Sequence, residues 1–86
     1  MPEIAALYGI RIYIQFNDHP PPHIHVYFGE HEAKVAIHDG SIIAGWLPRP
    51  AYRRVRQWMG IHAVALVRAW DRAMRHEAPG RIDPLP

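Results

Sequence analysis

His23-Ile24-His25-Val26-Tyr27-Phe28-Gly29-Glu30-His31-Glu32-Ala33-Lys34-Val35-Ala36-Ile37-His38-Asp39-Gly40-Ser41 is the run on which the fold turns. Ile24, Val26 and Phe28 alternate with polar or aromatic residues, and Ala33, Val35 and Ile37 do the same beyond Gly29. A period of two is the signature of a strand with one buried face. Glu30-His31 reads as a two-residue connection, and Asp39-Gly40 as a type I′ turn, whose positive backbone angles these residue types tolerate. Turns at those positions pair Phe28 with Ala33 and Ile37 with Ile42, and set Tyr27 opposite Lys34 and His23 opposite His38.

Upstream, Ile10, Ile12, Ile14 and Phe16 alternate with Arg11, Tyr13 and Gln15, which extends the sheet by a strand ending near Asn17. Glu3 to Tyr8 reads as a short first strand, with Gly9 as the bend. Pro20-Pro21-Pro22 cannot continue a ladder because proline has no amide proton, so Asp18 and His19 lie in a stiff crossing before the next strand. Arg11, Tyr13, Gln15, His23, His25, Tyr27, Lys34 and His38 then share the sheet surface away from the core.

Downstream, Ser41 to Trp46 makes a fifth strand, and Pro48 and Pro50 mark a helix start. One helix from about Arg49 to His76 is expected. At ~100° per residue, Ala51, Val55, Trp58, Met59, His62, Leu66, Ala69, Trp70 and Ala73 share one face, which would cover the sheet. The arginines at 49, 53, 54, 56, 68, 72 and 75 lie on the other side, with Ile61, Val64 and Val67 among them. Gly60, which costs roughly 1 kcal/mol against alanine in a helix interior, is the expected place for any kink. The expected class is therefore α+β, a four- to five-stranded, mainly antiparallel meander with one long C-terminal helix across one face. Residues 1–77 form a single domain and 78–86 an extended tail, with Ile82 and Leu85 available to dock it.

A chain of 86 residues carries one thin core. It has no cysteine, hence no disulfide framework and no thiolate site, and no apolar run long enough for a membrane span or export signal, so the expected compartment is the cytoplasm. Net charge is only +2, but Lys34 is the sole lysine, and arginine favours carboxylate, phosphate or aromatic partners.

The blocks Phe16-Asn17-Asp18-His19 and Pro21-Pro22-His23-Ile24-His25 carry a family likeness, together with Met1-Pro2-Glu3-Ile4, Tyr8-Gly9-Ile10, Gly29-Glu30, Glu32-Ala33, Leu47-Pro48-Arg49 and the helical Trp58, His62, Leu66 and Trp70. Through them the chain resembles a small bacterial family catalogued as the domain of unknown function numbered 4160. Members are often encoded beside a second such domain, numbered 2442, in pairs resembling toxin–antitoxin modules. The resemblance implies a small partner protein encoded nearby, and binding more than catalysis.

Three surfaces compete for function. His23 and His25 with His38, His19 and Asp18 have the donor types for zinc, copper or nickel, against the plainer reading that they brace the proline turn. Arg11, Tyr13, Tyr27 and Lys34 offer stacking and phosphate contacts for RNA or DNA, against a dimer interface or a solvated face. A narrower version makes His23 and His25 the acid and base of a ribonuclease-like toxin, with Lys34 or an arginine stabilising charge. On the helix, Ile61, Val64 and Val67 framed by Arg53, Arg56 and Arg68 form an apolar patch for a partner, against scattered exposed residues.

Overall fold

The computed structural model describes residues 1–85. Five strands, β1 (Glu3–Leu7), β2 (Ile10–Tyr13), β3 (His23–Phe28), β4 (His31–Ala36) and β5 (Ile42–Gly45), form one sheet in chain order. Every neighbouring pair is antiparallel. Two helices follow, α1 (Arg49–Ile61) and α2 (Ala63–Met74). The α+β meander is as the alternation predicts, but the helix is in two pieces.

The break falls at His62, not at Gly60. His62 has φ −112° and ψ 28°, outside the helical well, yet its amide still donates to the Trp58 carbonyl and its own carbonyl accepts from the Leu66 amide. The chain thus turns at one residue, with these two bonds tying His62 to the helix on either side. Gly60 stays helical, and no atom lies near the place where its Cβ would be.

The hairpins also differ from the expected register. The β3–β4 turn is Gly29-Glu30, because Gly29 supplies a left-handed φ of 57° one position earlier than the Glu30-His31 reading requires. Phe28 therefore faces His31, Tyr27 faces Glu32, His25 faces Lys34 and His23 faces Ala36; Phe28 does not meet Ala33, nor His23 His38. The partner shift is two residues, so each side chain keeps its face. The β4–β5 connection is wider than two residues: the Ala36 amide donates to the Ser41 carbonyl, and Val35, not Ile37, faces Ile42. Asp39 closes this loop by accepting from the Ser41 amide and hydroxyl.

Ile10, Ile12, Ile24, Val26, Ala33 and Val35 from the sheet meet Ala51, Val55, Trp58, Met59, Leu66, Ala69, Trp70 and Ala73 from the helices in one core. Residues beyond α2 return across it. The Ile82 amide donates to the Ile4 carbonyl, the Trp58 indole donates to the Asp83 carbonyl, and Ile82 and Leu85 pack against the core. No helix among the described residues is long and apolar enough to cross a membrane.

Candidate functional site

The connection from β2 to β3 leaves the sheet after Tyr13 and bends at Asn17, which has φ 55°. That bend carries the Asp18 side chain to the start of β3. Asp18 Oδ2 lies 2.8 Å from His25 Nε2 and 3.0 Å from His23 Nε2. Asp18 Oδ1 accepts the His19 amide at 2.8 Å, which fixes the carboxylate plane. Three potential ligand atoms, one from each of Asp18, His23 and His25, all lie within 4.8 Å of one another.

Both histidines share the outer face of the sheet with Tyr13 and Lys34, as their register shows. They are nevertheless buried, at 5 % and 3 % exposure. Asp18 closes over them, and the His23 ring lies between His25 at 5.0 Å and Trp70 of α2 at 5.5 Å, centroid to centroid. The expectation of two solvent-facing histidines is corrected here, because alternation reports a strand's face and not what later folds onto it.

His23 Nδ1 sits 2.7 Å from the Pro21 carbonyl oxygen. A carbonyl only accepts, so Nδ1 carries the proton and Nε2 of the neutral ring holds a lone pair. Nε2 is within ion-pair reach of Asp18 but lacks hydrogen-bond alignment, and it is a buried polar atom without a hydrogen-bond partner. Burial alone would raise the Asp18 carboxyl. Hydrogen bonds from His25 and the His19 amide, with the electrostatic influence of the two nearby imidazoles, outweigh it and hold the group below the ordinary carboxylate range.

His38 and His19 are not brought to this cluster. His38 is 69 % exposed at its side chain and lies 3.4 Å from Asp39, while His19 is exposed and meets Asp18 through its amide alone. The sequence signal for Asp18, an acid five residues before His23, is too weak to give it the central position it holds. Trp70, legible only as a core residue, is also a wall of the site.

On the outer sheet face, Tyr13 and Tyr27 meet edge to face at 5.4 Å. Arg11 is held by Glu3 at 2.7 Å, and the Tyr27 hydroxyl donates to Glu32 at 3.4 Å. Lys34 is exposed. On the helices, Ile61, Val64 and Val67 are 56, 66 and 51 % exposed. Arg56 donates to the Tyr52 hydroxyl, whereas Arg53 and Arg68 have no ion-pair partner among the described residues.

Residues 9–71, well over half of the chain, match the family described as Domain of unknown function (DUF4160). No curated protein and no solved structure matches the chain.

Proposed function

The chain belongs to the DUF4160 family, and from that premise we propose that it acts by binding a small partner protein, as one half of a toxin–antitoxin-like bacterial pair, through the outer surface of its helices. The observation that carries this reading is the exposure of Ile61 at the end of α1 and of Val64 and Val67 on α2, on helices that also expose Arg53 and Arg68. Contiguous exposed apolar residues cost solvation unless covered, and unpaired arginines beside them favour a partner carrying carboxylates. Across residues 49–75 the sole acid is Asp71, so a second copy of this surface would meet like charge. An apolar, acidic face of a different cytoplasmic protein, such as a product of the numbered 2442 domain, fits better.

Nucleic-acid binding by Arg11, Tyr13, Tyr27 and Lys34 has less support, because Glu3 and Glu32 already engage Arg11 and Tyr27. Histidine-based RNA cleavage has less still, since His23 and His25 are buried against Asp18 and a phosphodiester needs access to both rings. Binding is favoured over catalysis on these grounds. The test is co-expression with the product of the neighbouring reading frame, read by size exclusion. A complex that Val64→Asp dissolves is expected. Absence of any complex with the wild-type chain rejects the pair, and a complex indifferent to Val64→Asp rejects this surface.

A further inference from the structure

We infer that Asp18 Oδ2, His23 Nε2 and His25 Nε2 form a site for one divalent transition-metal ion of the zinc, nickel and copper class. The argument begins at His23. Its Nδ1–H is committed to the Pro21 carbonyl, which leaves the Nε2 lone pair unused, 3.0 Å from a carboxylate oxygen but out of line with it. Two acceptor atoms this close repel, and here both side chains are at least nine-tenths buried, so water does little to screen them. A positive charge belongs between them.

A proton on Nε2 is the simple candidate, but the N–H would not point along a good hydrogen bond, as the unpartnered state of that nitrogen records. An ion answers all three groups at once. On binding, His25 Nε2 gives up to solvent the proton it donates to Asp18, or the ring takes its proton on Nδ1 instead. The ion then takes the lone pair of each Nε2 and one carboxylate oxygen, and leaves Nδ1–H of His23 on its backbone acceptor, an arrangement common for metal-bound histidine.

The spacing suits it. Ligands ~2.0–2.1 Å from an ion lie ~3.3 Å apart at tetrahedral corners and ~3.0 Å apart at adjacent octahedral corners. The two separations from Oδ2 are 2.8 and 3.0 Å, close to those spacings, and the three ligand atoms lie within 4.8 Å of one another. Two imidazoles and one carboxylate, with no thiolate in the chain, select borderline ions over soft Cu(I) or hard Ca2+. Three protein ligands leave at least one coordination position for water or another ligand. The site stands independently of the helix surface and of any partner.

Metal-stripped wild-type protein titrated with Zn2+, Ni2+ and Cu2+ by calorimetry should take up one equivalent, with Cu2+ tightest, and should melt at a higher temperature when loaded. Asp18→Asn should weaken binding by roughly 100-fold, whereas His38→Ala and His19→Ala should leave it unchanged. Nitrogen NMR of the loaded wild-type chain should show coordinated Nε2 and a retained Nδ1–H at His23, a readout that does not depend on any variant folding. Saturable uptake lost with His38→Ala or His19→Ala but not with Asp18→Asn would overturn the assignment. So would folded protein that takes up no ion, or that shows His23 doubly protonated with metal present.

Discussion

The histidine cluster and the outer helix surface are opposite solutions for polar residues in a small protein. Half-buried Asp18 lies 2.8 and 3.0 Å from the buried His25 and His23, with the His25 ring held by the carboxylate and the His23 ring by the Pro21 carbonyl. Arg53 and Arg68 stand in solvent beside exposed Ile61, Val64 and Val67 and orient nothing. Where water is excluded, a group must find a fixed partner or leave an unsatisfied charge, so geometry becomes specific. Where water is present, the same chemistry stays available to something outside the chain. The first region should therefore answer to mutation mainly in stability, and the second mainly in association.

Removing the wall of the cluster tests the first half most severely. Trp70→Ala should destabilise the fold by about 3–5 kcal/mol, measured by urea unfolding, because it opens a cavity in the core and uncovers His23 together. Asp18→Ala should cost about 1–3 kcal/mol, since His25 Nε2 loses its hydrogen-bond partner while remaining buried. An unchanged unfolding midpoint would mean the cluster is not under the constraint its burial implies.

The same carboxylate sets an acid dependence. Its folded pKa lies below the unfolded value, so its contribution is fully present above the ordinary carboxylate pKa of ~4 and is lost as pH falls through the folded value. Asp18→Asn should flatten stability against pH in that acid window. Glu3, held low first by Arg81 and then by Arg11, titrates in the same direction and will leave a residual slope.

The helix surface should behave in the contrary way. Val64→Asp should weaken a partner complex by at least tenfold, about 1.4 kcal/mol, yet shift the unfolding free energy by less than ~0.5 kcal/mol. Gly60→Ala sharpens the contrast: the site is helical with open space at the Cβ position. It should stabilise the chain by about 0.5–1 kcal/mol, and a loss of stability would show that the turn at His62 depends on glycine nearby. His38→Ala, at an exposed turn, should change stability by less than ~0.5 kcal/mol.

The strand alternation from Ile10 to Phe28 and the helical period from Ala51 to Ala73 were legible because each depends on residues close in sequence. Ile10, Ile12, Ile24, Val26, Val55, Trp58, Leu66 and Trp70 are core residues as those periods require. Exposure of Ile61, Val64 and Val67 follows from the same period. Hairpin register was less legible, because Gly29-Glu30 and Glu30-His31 are both chemically acceptable turns and pairing along the whole hairpin decides between them. A two-residue slip preserves faces, so the expected and the observed hairpin present the same residues to each side.

By itself, then, the sequence determined which residues face the core, the order of sheet and helix, and the composition of the histidine block. Only the tertiary structure decided that Asp18 folds back onto His23 and His25, that Trp70 closes against them, and that His38 stays with Asp39. Periodicity is a property of one element and its immediate neighbours. Burial of a polar residue depends on what a distant element brings to it, and here that is a bend at Asn17 and a tryptophan far along the chain.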